Sequence, residues 1–340
     1  MRPALLVVLL VLALAPSTAR AALVFDREPL KPAVWIAADD GSGAHELAAG
    51  SQPRIAPDGR TVAYLRIASS ARGGGLELMT VAADGSSRPR VLLRHWNGVL
   101  TFAWSPDSTT IATDAGPEVG TKRLVLVDVA TGKARTIARG YFAGASFAPD
   151  GATLVYSRHA RDTWPPRADL WRVPVAGGQP TALTRRHDAI TPLWGPTGRV
   201  VFTRLVDAQR RKYGPKGELY VMNPDGSSVR RLTRTRVDPL LFGLSATAWS
   251  ADGTRLLAQF SGQDTSYAVT VDPVTGAHRP LLRAAETGLI GSRLSADGST
   301  VLGATGGFDP DGRHDVVTVP YGGGTPTLLA RNAYNPDWTR

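Results

Sequence analysis

The sequence predicts an all-β protein: a seven-bladed β-propeller of four-stranded antiparallel blades, closed where a C-terminal strand joins the N-terminal blade. Three observations predict it. A turn motif recurs at the spacing of one blade, short apolar strands alternate with tight glycine turns, and each chain end carries a fragment of the same blade.

The chain opens with an export signal over residues 1–21. Arg2 provides the positive end, Leu5 to Leu14 form an unbroken apolar run, and Ala19-Arg20-Ala21 has the small-x-small pattern of a cleavage site. The run is about ten residues, half of what a bilayer-spanning helix needs. No second run of that kind follows, so no transmembrane segment is expected once the signal is removed. Residues 22–340 read as one propeller domain, secreted or held in the periplasm or cell envelope.

The turn motif is a small residue, Pro or Ala, Asp and Gly. It occurs at Ala56-Pro57-Asp58-Gly59, Ser105-Pro106-Asp107-Ser108, Ala148-Pro149-Asp150-Gly151, Gly195-Pro196-Thr197-Gly198, Ser250-Ala251-Asp252-Gly253 and Ser295-Ala296-Asp297-Gly298. Successive Asp-equivalent positions lie 49, 43, 47, 55 and 45 residues apart, the length of one blade. Pro presets φ, Asp bonds nearby backbone and Gly tolerates positive φ, so each motif is a hairpin turn. Ser108 and Thr197 depart from the pattern and predict looser turns.

Each turn joins a strand a to an apolar strand b such as Leu154-Val155-Tyr156-Ser157 or Val200-Val201-Phe202-Thr203. A variable loop leads to strand c, as in Glu218-Leu219-Tyr220-Val221-Met222. A second glycine turn then leads to a polar strand d such as Arg230-Arg231-Leu232-Thr233, whose charges suit an exposed edge. At the N-terminus, Leu23 to Arg27 reads as b, Val34 to Ala37 as c and His45 to Ala48 as d. At the C-terminus, Asn335-Pro336-Asp337-Trp338 reads as the missing a, with Trp338 where Trp104, Trp194 and Trp249 stand. Six whole blades and one shared blade make seven, at roughly 46 residues each.

With 43% apolar and 20% charged residues, the chain can bury a sizeable core. It has no cysteine, which excludes disulfides, thiolate metal sites and a thiol nucleophile. The net charge of +10 falls to +8 without Arg2 and Arg20 and favours acidic partners. A plain compositional bias toward arginine accounts for it equally well.

The blade signatures, notably Phe102-Ala103-Trp104-Ser105-Pro106-Asp107 and Ala248-Trp249-Ser250-Ala251-Asp252-Gly253, resemble the propeller repeats of the TolB family, which are similar to WD repeats. The resemblance runs over essentially all of residues 22–340. It implies a periplasmic propeller that engages an envelope lipoprotein. TolB proteins have an α/β domain ahead of six blades. Here the first strand follows the signal directly, and six blades stand as the alternative count.

The a–b and c–d turns share one end of the blades and are minimal. The b–c and d–a connections share the other end and are long and varied, as binding loops on a rigid scaffold are. Residues 158–169 carry Arg158, His159 and Trp164; residues 204–218 carry Arg210, Arg211, Lys212 and Tyr213; Arg186 and His187 lie between them. Trp96 and Phe242 are expected nearer the mouth of the ring, beside Tyr141 and Phe142. Cations interleaved with flat rings suit carboxylate, phosphate or sugar-acid ligands. The plainer alternative is a solvated loop surface, with Trp164 packed on its own blade. The repeated tryptophans read as packing between blades.

No catalytic constellation is visible. There is no G-x-S-x-G elbow and no phosphate loop. His45-Glu46 has Ala49 where a zinc protease needs its second histidine. Asp309 to Asp315 resembles a calcium loop, but its twelfth position is Pro320. No catalytic residue, metal or cofactor is expected. Three functions remain: a monomeric binding scaffold for an envelope protein or anionic polymer, without nucleic acid; a polysaccharide lyase or glycosidase; or a relative of the propeller that gates prolyl-oligopeptidase-type peptidases.

Overall fold

The computed structural model describes residues 22–27, 30–68, 75–96, 102–116, 120–159, 165–207, 214–235, 241–262, 265–282, 288–306 and 314–339. Among them the regular structure is entirely β, and no helix is long and apolar enough to cross a membrane.

In chain order the strands come in groups that alternate short turns with longer connections. The first group is β1 (Ala22–Arg27), β2 (Ala33–Ala38) and β3 (His45–Ala49). The second is β4 (Ser51–Ile55), β5 (Thr61–Ile67), β6 (Leu76–Ala82) and β7 (Arg90–Trp96). Then β8 (Phe102–Trp104), β9 (Thr110–Ala115) and β10 (Lys122–Asp128) lead to β11 (Ala134–Phe147), which feeds β12 (Thr153–His159), β13 (Asp169–Pro174) and β14 (Thr181–Ala182). Next come β15 (Ala189–Trp194), β16 (Val200–Val206), β17 (Lys216–Met222) and β18 (Arg230–Arg231). They precede β19 (Leu241–Trp249), β20 (Leu256–Gly262), β21 (Ser266–Val271) and β22 (His278–Pro280). The chain finishes with β23 (Ile290–Leu294), β24 (Thr300–Ala304), β25 (Val316–Pro320), β26 (Thr327–Ala330) and β27 (Ala333–Trp338).

Pairing follows this order, with one exception. β27 does not join β26's sheet; it pairs antiparallel with β1, Leu23 opposite Trp338 and Val24 opposite Asp337, giving the sheet order β27-β1-β2-β3. Neighbouring pairs are antiparallel except for one parallel contact, Gly217 opposite Gly243, which links β17 to β19.

The b strands are buried on both faces: Val62, Ala63, Tyr64 and Leu65 in β5, and Leu154, Val155, Tyr156 and Ser157 in β12. Such continuous burial requires a sheet packed on both sides, which explains why these strands are apolar runs rather than strict alternations. β1 shows the arrangement. Val24 packs with Ile55, Val62, Tyr64 and Met79 of the second group, while Leu23 and Phe25 pack with Leu302, Val316 and Trp338.

The turns behave as their chemistry dictates. Gly59, Gly151, Gly253 and Gly298 take φ of 72°, 70°, 70° and 68°, and the turn Asp accepts the backbone N–H two residues on, as in Asp252–Thr254 (2.9 Å). Ser108 takes the same conformation at φ 62°, and its N–H bonds Ser105 O at 3.0 Å, so this turn is not looser. Ser105 Oγ and Asp107 hold it, 2.5 Å apart.

One connection differs from expectation. Tyr141 and Phe142, expected in a d–a loop, lie within the 14-residue β11, opposite His159 and Arg158. Gly140 permits this: at φ 147° it passes under Arg158, where an added Cβ would sit 3.0 Å from His159 O. The chain thus crosses from one group to the next without leaving the strand.

Candidate functional site

The first strands β4, β8, β15, β23 and β27 each stand at a sheet edge, and a side chain of the adjacent group bonds the backbone of β4, β15 and β23. Trp104 Nε1 donates to Arg54 O (3.2 Å), Trp338 Nε1 to Leu294 O (3.3 Å) and Trp194 N to Ser146 Oγ (3.0 Å). The first strands β4, β8, β11, β15, β19, β23 and β27 line one cavity of about 570 Å3, to which β9 and β10 also contribute. Two of the repeated tryptophans, Trp104 and Trp338, therefore bond between groups and also line a space.

The opposite requirement, holding the long connections in place, is met by buried carboxylates. Glu218, fully buried at the start of β17, accepts Thr233 Oγ (2.7 Å), Thr235 N (2.8 Å) and Thr235 Oγ (2.8 Å). Thr233 Oγ in turn accepts Leu219 N at 2.9 Å. Asp169 repeats the arrangement: Thr184 Oγ (2.9 Å) and His187 N (3.1 Å) donate to it, while Leu170 N donates to Thr184 Oγ (2.9 Å). Each clamp fixes the chain after a fourth strand to the start of a third.

Around these clamps the b strands carry an arginine two residues after an aromatic, half-buried in Phe25-Asp26-Arg27, Tyr64-Leu65-Arg66 and Tyr156-Ser157-Arg158 and buried in Phe202-Thr203-Arg204. The guanidinium covers an aromatic ring of the adjacent strand, Arg27 over Trp35 (4.4 Å), Arg158 over Trp171 (5.7 Å) and Arg204 over Tyr220 (4.5 Å). Arg66 instead pairs with buried Glu77 at 2.6 Å, and Arg204 also bonds Asp188 at 3.1 Å. Arg27, Arg66, Arg204, Asp169 and Glu218 were not among the expected site residues. The recurring aromatic-x-Arg triplet is the signal that marks the arginines.

Of the expected residues, the structure brings Arg158, Arg186 and His187 to this end. Arg158 is opposite Asp169, whose carboxylate is 2.5 Å from His187 Nδ1, and Arg186 approaches Asp188 at 3.6 Å. His159 stacks beside Tyr141, rings 5.4 Å apart. Phe242 lines a small cavity of about 130 Å3 with Pro165, Pro166, Leu205 and Pro215. Trp164, Arg210, Arg211, Lys212 and Tyr213 lie outside the described residues, as does the side chain of Trp96, which ends β7 opposite Leu76. Arg167, Arg185 and Arg234 stand exposed at the same end and form no ion pair among the described residues. No group of three metal-ligating side chains occurs among the described residues.

No family model and no curated protein matches the chain. Solved structures do. The β-propeller domain of the Trilobed protease from Pyrococcus furiosus, described as having an open velcro topology, matches with a TM-score of 0.65 and 12% identity, over 92% of this chain and 95% of that one. TolB from Acinetobacter baumannii matches with a TM-score of 0.57 and 17% identity, over 93% and 82%. An oligogalacturonate lyase in complex with manganese matches with a TM-score of 0.60 and 18% identity, over 91% and 84%. At these identities the likeness establishes the fold: an all-β, TolB-like propeller.

Proposed function

We propose that this chain is an exported, seven-bladed propeller that acts as a binding scaffold, engaging an envelope protein or an anionic polymer at the end that carries its long connections. Seven blades are supported by the strand groups, by β27 completing the sheet of β1–β3, and by the seven first strands around one cavity. The observation that carries the binding reading is the set of exposed arginines Arg167, Arg185 and Arg234, which form no ion pair among the described residues and stand at the end that also holds the apolar notch of Phe242 and Pro166. Guanidiniums without carboxylate partners, next to a small apolar recess, receive anionic groups on a larger partner.

The test uses polygalacturonate and polyaspartate as probes. Wild type should bind at least one of them with affinity that falls as salt rises. The triple variant Arg167→Glu, Arg185→Glu, Arg234→Glu should lose at least tenfold. Equal binding by both proteins would remove the basis for this surface. Cleavage of polygalacturonate by the wild type would move the assignment to a lyase.

A further inference from the structure

The cavity between the first strands carries its own charge. Among the described residues, four ionisable side chains line it: Arg54 from β4, Arg293 from β23, Asp337 from β27 and Asp114 from β9. Asp337 is committed. Its Oδ2 accepts Ile55 N at 3.0 Å and its Oδ1 lies 2.7 Å from Arg293 Nε. Arg293 is engaged there through Nε, while Arg54 turns Nη1 to Pro53 O at 3.1 Å. Burial lowers the pKa of the Arg54 guanidinium; Asp337 opposes that fall, and Arg293 adds to it. Two guanidiniums thus lie within electrostatic reach of each other and share Asp337, and Asp26 also acts on Arg54. Burial also pushes the Asp114 carboxyl in the cavity wall up to about 7, so near neutral pH it carries only about half a negative charge.

The remaining walls are flat and apolar: Phe102, Trp104, Phe142 and Trp338. The space reaches Pro57 and Pro106, both exposed in the a–b turns, so it extends to the end of the sheets opposite the long connections. Its volume of about 570 Å3 falls within the range of about 300–1,000 Å3 that small-molecule sites occupy.

We propose that this cavity binds a small organic carboxylate with a flat apolar body, its anionic end held by Arg54 and Arg293 and its body against the aromatic walls. The pair of guanidiniums selects for charge, because N–H groups not taken up by Asp337 and Pro53 O bond an anionic end more strongly than an uncharged one. The rings select for shape. The site is separate from the exposed arginines of the long-connection end and does not depend on their role.

Calorimetric titration of the full chain with benzoate and with benzamide tests it. Wild type should bind benzoate saturably at one site and benzamide at least tenfold more weakly. Arg54→Gln and Arg293→Gln should each weaken benzoate at least tenfold. The triple variant Arg167→Glu, Arg185→Glu, Arg234→Glu should leave benzoate unchanged. Absence of saturable benzoate binding, or equal binding of benzamide, overturns the proposal. So does benzoate binding that survives both Gln variants, or that the triple variant abolishes. Should Arg293→Gln fail to fold because Asp337 loses its partner, Arg54→Gln and the benzoate–benzamide comparison on wild type still decide.

Discussion

The side-chain amide of Asn335 donates to both carboxylate oxygens of Asp26, at 3.0 and 3.2 Å, tying β27 to β1 across 309 positions of sequence. The same carboxylate accepts the N–H of Gln52 at 2.7 Å. Asn335 and Gln52 both hold left-handed backbone, φ 48° and 53°, at bulges in the first strands of two groups. Such conformations cost of order 1–3 kcal/mol each and persist where surroundings enforce them. Asp26 supplies that enforcement. Burial raises its carboxyl above the ordinary value, with the bonds from Gln52 and Asn335 opposing the rise.

Asp26→Ala is therefore expected to cost about 2–4 kcal/mol, because it strands the Gln52 N–H and the Asn335 amide together. Urea unfolding of the variant measures it. A loss below about 0.5 kcal/mol would show that the bulges hold without the carboxylate.

The Glu218 clamp gives a prediction with a pH signature. Burial alone would raise this carboxyl, but the bonds from Thr233, Thr235 and Lys216 outweigh it and hold it below its ordinary value. A depressed folded pKa contributes stability above the unfolded value and loses it as pH falls through the folded one. Thr233→Val removes the hydroxyl that both accepts Leu219 N and donates to Glu218, at a cost of about 2–3 kcal/mol at pH 7. Its deficit in Tm relative to wild type should shrink as pH falls from 5 towards 3. A deficit that stays constant over that range would separate Thr233 from the carboxylate.

The all-β class and the turns were legible because hairpin chemistry is local: Pro, Asp and Gly within four residues determine the backbone. The candidate sites were legible only in part because they are assembled from distant segments. Asp26, Gln52 and Asn335 meet through bulges, and a bulge shifts register by one residue with no mark in an alternating pattern. Gly140 turned an expected loop into continuous strand because what matters is the space beneath Arg158. The wall of the 570 Å3 cavity draws a few residues at a time from strands spread over the chain, so no window of sequence contains it. The aromatic-x-Arg triplets, by contrast, were readable and simply short.

The arginine-rich composition has a structural use that gives the next prediction. Arg90 reaches Ala130 O (2.7 Å) and Val129 O, Arg135 reaches Val175 O, Arg230 reaches Pro273 O (3.4 Å) and Arg279 reaches Tyr321 O (3.4 Å). Each strap runs from a fourth strand to the turn of the following group. Being exposed, each contributes about 0.5 kcal/mol or less. A single Arg→Gln change should be near silent, while the quadruple variant should lose about 1–2 kcal/mol, since distant sites add. No loss in the quadruple variant would return these arginines to plain surface charge.

Asp114 predicts the opposite pH dependence from Glu218. Burial, against the pull of Lys122, lifts its carboxyl to about 7 from an ordinary value near 3.8. Between those values the folded protein holds a proton that the unfolded chain has released, so stability falls as pH rises through the window and the penalty is complete above it. At about 1.4 kcal/mol per unit, the full penalty is at most about 4 kcal/mol. Asp114→Asn keeps the shape and removes the ionisation. Its Tm relative to wild type should therefore rise evenly from pH 4 to about pH 7 and level off above that. A difference that does not change with pH would mean that Asp114 ionises in the folded protein as freely as in the unfolded chain, and that its carboxylate opposes an anion in the cavity at every pH.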